Sequence, residues 1–238
     1  MKNRKSETYP GRWLQSLCGH RFGSRQRGIK HSEERARRVQ VIGDQDSKTI
    51  QILDGVLNHP RAEAAALRAL VQAYASINHL DGVRQAAGKL EALVRANPGN
   101  FAAANALAEA YRHLQKPDVA IRALDGIINH PKVTASAVVQ AAQQYAALSD
   151  PTKMEAALIK LTQLAPDLPE AWYDLAALRT ALGKPQEALT ALRRALDLSA
   201  KRKATDPKAR DLAAEALKDA SFTTLRENPE FKQLTGRF

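Results

Sequence analysis

Cysteine is nearly missing from this chain: Cys18 is the single one, which rules out a disulfide within the chain and a multi-cysteine metal cluster. Aromatic side chains make up only 5% of the residues, too few for the usual core of a sheet protein. The abundant Ala and Leu suit closely stacked helices instead. No apolar run approaches the roughly 18 residues of a membrane-spanning helix. No signal-peptide core follows the charged start either, the nearest candidate being the short stretch Trp13 to Cys18. The expectation is a soluble, cytoplasmic chain. An Arg- and Ser-rich, acid-poor N-terminus leaves organelle targeting as the alternative.

Acidic residues are scarce at one end. Residues 1–31 hold Lys2, Arg4, Lys5, Arg12, Arg21, Arg25, Arg27 and Lys30 against Glu7 alone, so most of the net charge of +11 sits there. A mildly basic body behind a basic tail is a different object from a uniformly basic nucleic-acid-binding domain. The tail has no sustained hydrophobic period and reads as a flexible extension.

Chemistry-bearing constellations are equally sparse. Gly55, Gly88, Gly126 and Gly183 stand singly, so there is no phosphate-binding glycine loop. His59 and His130 sit at equivalent places too far apart to share an ion. His20, His31, His79 and His113 make no i, i+4 pair with a third ligand nearby. Cys18 and His20 lie in a segment with no scaffold to hold a nucleophile and its base. The expectation is no catalytic residue, no metal and no cofactor: the chain is not an enzyme.

What the sequence has in quantity is repetition. Pro169 to Leu198 spells two amphipathic helices: Trp172, Leu175, Ala176, Leu178 and Leu182 at helical spacing, then Gly183-Lys184-Pro185, then Ala188, Leu189, Leu192, Ala195 and Leu196. Leu90, Leu124, Leu158 and Leu192 are each 34 residues apart, as are Leu93, Ile127, Leu161 and Ala195. A fixed period in this range marks a stacked array in which each unit buries its apolar face on the next. Leu53 to Pro60 returns 71 residues later as Leu124 to Pro131, which makes it a second helix of a unit. The distance exceeds two periods by three residues, and the spacing of Tyr74 to Pro98 places the extra residues in the loop around Ile77 to Gly82, where an insertion costs little.

These residues resemble the tetratricopeptide repeat, with its W-x2-L-G-x2-Y, Ala, large apolar, Ala and Pro positions. Residues 169–202 supply Trp172, Leu175, Ala176 for Gly, Arg179 for Tyr, Ala188, Leu192 and Ala195, with Ala200 at the Pro position. Tyr74, Tyr111 and Tyr145 fall at the Tyr position, and Pro98 and Pro166 at the Pro. The resemblance covers about residues 46–202 and implies an all-α fold, an α-solenoid of about four antiparallel helix pairs, that binds proteins without catalysis. The expected organisation is a basic tail over 1–31, a partial helical unit over 32–60, the repeat array over 61–202 and capping helices over 203–238. Within it, Ser32 opens a helix to about Ile42, and Lys201 to Thr205 is a charged hinge. Asp206-Pro207 starts a helix over 208–220, and Phe222, Leu225, Phe231 and Leu234 fold back on the last unit.

The repeat register separates packing from contact positions. Tyr74, Tyr111, Tyr145 and Trp172 are expected in the core rather than as a base-stacking ladder, and Gly55 and Gly126 where helices approach closely. An inner concave face would be lined by Arg68 and Gln72; Asn105, Glu109 and Arg112; Val139, Gln140 and Gln143; and Tyr173, Asp174 and Ala177. This polar, mixed-sign set suits an extended peptide or a partner helix. Some members of the family hold a partner's terminal carboxylates with Lys, Asn and Arg here. Arg68, Gln72, Asn105 and Arg112 imitate that set loosely and contain no Lys. Two other readings stay open: a nucleic-acid or anionic-surface binder working through the tail and Lys201-Arg202-Lys203, and the docking or regulatory repeat region of a larger enzyme or membrane assembly.

Overall fold

The computed structural model describes residues 47–59 and 62–236; the basic tail, the helix expected over 32–42, Cys18, His20 and His31 lie outside them. All regular structure among the described residues is helical. It falls into two compact units that part between Val133 and Thr134.

The first unit holds α1 (residues 47–57), α2 (Ala64–Ser76), α3 (Leu80–Ala96), α4 (Phe101–His113) and α5 (Pro117–Ile128). The second holds α6 (Ala135–Ala147), α7 (Pro151–Leu164), α8 (Pro169–Ala181), α9 (Pro185–Thr205), α10 (Leu212–Ala216), a 3-10 turn over Ala220–Leu225 and α11 (Pro229–Thr235). In each unit consecutive helices pack as antiparallel pairs, α2 with α3, α4 with α5, α6 with α7 and α8 with α9.

One turn joins the members of every pair. The second residue past the helix is left-handed: Asn78 at φ 55°, Gln115 at 56°, Ser149 at 56° and Gly183 at 70°. The next N–H then reaches back five residues, His79 to the Tyr74 carbonyl at 2.8 Å, Lys116 to Tyr111 at 2.9 Å, Asp150 to Tyr145 at 3.0 Å and Lys184 to Arg179 at 2.9 Å. This is the Schellman closure, which satisfies carbonyls that the helix end leaves unpaired. Pro117, Pro151 and Pro185 then open the second helices at a position where a missing N–H costs nothing. α3 has no such proline, and the His79 ring accepts from the Gly82 N–H at 3.1 Å instead.

The three extra residues are not in that turn, whose closure has no room for them. They lengthen the second helix: α3 has 17 residues where α5 has 12 and α7 has 14. Counted from the left-handed residue, Leu90 is therefore the counterpart of Ile127 rather than of Leu124, and all three are buried.

The core of the first unit gathers Leu57, Leu67, Leu70, Tyr74, Val83, Leu90 and Leu107 with a run of alanines on α4. Those alanines let α2, α3 and α5 all approach α4. A second expectation also moves. Gly55 and Gly126 have open space where a Cβ would stand, whereas a Cβ on Gly82 would sit 2.4 Å from the Tyr74 ring. Gly82 is thus the glycine that close packing requires, because the first turn of α3 lies against that ring.

At the far end, α9 runs unbroken through Lys201 to Thr205 and Asp206 closes it, so the basic run is helical rather than a hinge. The next helix starts at Leu212, capped by Asp211 accepting from the Ala214 N–H at 3.1 Å. Ser199 on α9 ties down the connecting strand of chain, donating to the Arg210 carbonyl at 3.0 Å and accepting from the Leu212 N–H at 3.2 Å.

Candidate functional site

In the first unit, α2 and α4 lie side by side and their shared face carries Arg68, Gln72, Asn105, Glu109 and Arg112. Arg68 donates through Nε to Glu109 Oε2 at 2.8 Å, and Gln72 donates through Nε2 to Oε1 of the same carboxylate at 2.8 Å. Glu109 is only 5% exposed, so a buried carboxylate fixes two more accessible donors; charge-assisted bonds of this kind are short and stiff. Asn105 is more enclosed than its sequence position suggests, at 2%. Its amide donates to the Phe101 carbonyl one turn back at 3.0 Å, and its Oδ1 has no partner among the described residues. Arg112 meets the neighbouring His113 ring, Nη2 to Nε2 at 3.3 Å. A guanidinium can only donate, so His113 accepts as the neutral ring. Burial, then Arg112, push the His113 pKa below its ordinary value, with Glu109 opposing them. The sequence pattern gives His113 no role; its adjacency to Arg112 is the available signal.

Gln140 and Gln143, with Val139, sit on α6 of the second unit, the two glutamines half-buried. Gln144 beside them is the buried member, and its Oε1 has no partner among the described residues.

On α8 the expected roles of two neighbours exchange. Trp172, expected in the core, is partly exposed and donates to the Pro166 carbonyl at 3.0 Å. Tyr173, expected on the open face, is 7% exposed. Its hydroxyl donates to Asp219 Oδ2 at 3.0 Å, and its ring takes the edge of Phe222 at 5.2 Å and 84°. Burial, then the Asp219 carboxylate, push the phenol pKa well up. Ala177, one helical turn on, is buried as well, while Asp174 keeps partial exposure. The C-terminal segment lies over this helix. Composition showed that the segment is apolar enough to fold back but not which face it would take.

Two members of the basic run on α9 are paired within the unit. Arg202 grips the buried Glu170 carboxylate with two bonds, at 2.6 and 3.2 Å, and Lys203 pairs with Asp211. A similar cluster joins α7 to α8 and α9. Arg179 and Lys184 reach the two oxygens of Glu155 at 3.0 and 2.5 Å, and Glu187 lies 3.4 Å from Arg179.

Among the described residues no group of three or more His, Cys, Asp or Glu could hold a metal ion, and no described helix is long and apolar enough to cross a membrane. The arrangement offers fixed donors and acceptors on helix faces. Such a row of fixed donors and acceptors is chemistry suited to reversible association.

The family model described as tetratricopeptide repeat matches residues 169–202. Among solved structures, one described as the crystal structure of MamA is 21% identical, covering 74% of this chain and 99% of its own with a TM-score of 0.45. The thermophilic tetratricopeptide-repeat protein TTC0263 of Thermus thermophilus is 23% identical, covering 76% of this chain and 93% of its own with a TM-score of 0.41. No curated protein matches.

Proposed function

We propose that this chain, a tetratricopeptide-repeat protein with a full repeat at residues 169–202, is a non-catalytic interaction scaffold that holds an extended segment of a protein partner along the α2/α4 face. The fold supports the scaffold role in general. The single observation that supports this face is the Arg68–Gln72–Glu109 cluster. The buried carboxylate pre-positions both donors, so a partner's backbone carbonyls meet side chains that have already lost their freedom. Pre-organisation of this kind lowers the ordering cost of association, about 0.5–1.5 kcal/mol for each long side chain. Arg112 extends the donor row along α4. The working compartment in this reading is the cytoplasm, where a chain with one cysteine has no use for an oxidising environment.

The test is a random extended-peptide library selected on the full chain, with the selected peptide then titrated against the Arg68→Ala/Gln72→Ala double variant. A loss of at least about tenfold in affinity, or roughly 1.4 kcal/mol, is expected, with the circular dichroism unchanged. Unchanged affinity in a folded double variant removes the face from consideration. The reading as an anionic-surface binder gains nothing from Arg202 and Lys203, whose charges are matched by Glu170 and Asp211.

A further inference from the structure

Tyr173, which the C-terminal segment helps to bury, and Ala177 one turn on occupy positions on α8 with a meaning elsewhere in the chain. Tyr173 and Ala177 stand where α2 carries Arg68 and Gln72 and α4 carries Asn105 and Glu109. In the last hairpin, then, the chain's own end covers the position that α2 fills with Arg68, a donor that the proposed function assigns to a partner.

The covering contact is built like a docked peptide. Asp219 divides its carboxylate: Oδ1 accepts from the Ser221 N–H at 2.9 Å and starts the 3-10 turn, while Oδ2 accepts from the Tyr173 hydroxyl at 3.0 Å. Three residues on, Phe222 is fully buried with its edge against the Tyr173 ring, and Phe231 backs it at 5.9 Å. One acceptor, one aromatic anchor and a short non-α turn carry the attachment. A buried aromatic anchor of this kind dominates the energetics of many transient interfaces.

We propose that residues 219–231 are a tethered occupant of the α8 face, and that this face takes in exchange a partner segment of the same chemistry, an acidic residue three positions before a phenylalanine. A tether supplies an effective concentration in the millimolar range, so a free segment of equal intrinsic affinity is disfavoured until the tether is weakened. The inference goes beyond the α2/α4 reading and stands or falls separately from it.

The test uses a fluorescent synthetic peptide of residues 217–236 with the full chain. The peptide is expected to bind the Phe222→Ala chain at least about tenfold more tightly than the unaltered chain, because the tethered competitor has lost its anchor. A control peptide bearing Asp219→Ala and Phe222→Ala should bind neither. Amide exchange of α8 should rise in the Phe222→Ala chain and fall again when the peptide is added. Arg68→Ala/Gln72→Ala should leave peptide binding untouched, which separates this result from the α2/α4 test. Equal affinity for the two chains, equal binding of the control peptide, or unaltered α8 exchange overturns the proposal. If Phe222→Ala loses its helical signal, Asp219→Ala replaces it, since the aromatic packing remains. A gain of about threefold is expected there, and no gain overturns the proposal equally.

Discussion

In residues 47–133 the phenols of Tyr74 and Tyr111 each reach a carboxylate 20 positions back, Asp54 at 2.7 Å and Glu91. In residues 134–236 the corresponding position on α8 is Arg179, and it reaches Glu155 at 3.0 Å with Lys184 on the other oxygen. One backbone frame thus carries two solutions to the same problem, tying a first helix to the second helix of the pair before it. A neutral donor needs little desolvation and leaves the acid with solvent contact. The Arg179 guanidinium instead meets an acid that is enclosed and matched on both oxygens. Burial, then the carboxylate partner, raise the Tyr111 pKa to about 12 and that of Tyr74 further. Burial alone would raise the Glu155 pKa, yet hydrogen bonds from Lys184 and Arg179 hold it below the ordinary value. The units also differ at their open faces, since α2 leaves Gln72 exposed whereas α8 is covered by the chain's own end.

The largest test of that contrast is Phe222→Ala, which empties the fully buried ring site over α8. A loss of about 3–5 kcal/mol is expected, as for other buried Phe truncations, read by thermal unfolding, with amide exchange locating the loss in α8 and α9 rather than in α2 to α5. Next, Arg179→Leu leaves the buried Glu155 with Lys184 alone and should cost about 2–3 kcal/mol, against about 1 kcal/mol for Tyr111→Phe. Equal costs in denaturant titrations would erase the distinction between the two struts. Gly82→Ala drives a Cβ into the Tyr74 ring and should cost about 1–3 kcal/mol. Gly126→Ala, with open space at its Cβ, should gain about 0.5–1 kcal/mol of helix stability. Smaller still, Gln115→Gly and Ser149→Gly relieve left-handed side chains and should each stabilise by up to about 1 kcal/mol, with Gly183→Ala doing the reverse.

The pH dependence follows from the signs of the shifts. Glu155 titrates lower in the folded chain than unfolded, so its stabilisation is present above the unfolded value and lost as pH falls through the folded one. Tyr111 titrates higher, so its contribution is present below the unfolded value near 10 and lost as pH rises towards about 12. Amide exchange across an acid titration should therefore open α7 and α8 before α3 and α4, and the reverse order would sink the comparison.

Much of the fold could be read from the residue pattern, because helix period, Gly183 and the prolines at 117, 151 and 185 are local features that dictate local geometry. The observed pairs Ala64–Ala96, Phe101–Ile128, Ala135–Leu164 and Pro169–Thr205 follow the repeat read from the residues. The candidate site was less legible. Arg68, Gln72 and Glu109 could be placed on one face by register, but the register could not show that Glu109 is buried and holds the other two. Trp172 and Tyr173 are adjacent aromatics, and the repeat register points to Trp172 for the core although Tyr173 takes that place. The three extra residues were placed in a loop because loops usually absorb insertions, while here the turn is closed by hydrogen bonds and the helix end is free to grow.

The sequence by itself determined an all-helical repeat and the position of each turn between paired helices. A 34-residue recurrence and its punctuation are properties of neighbouring residues and need no distant partner to be recognised. Only the tertiary structure decided which side chains stay available. Burial of Tyr173 depends on Phe222 and Asp219, 46 and more residues further along, and accessibility is set by whatever segment comes back to lie on a face.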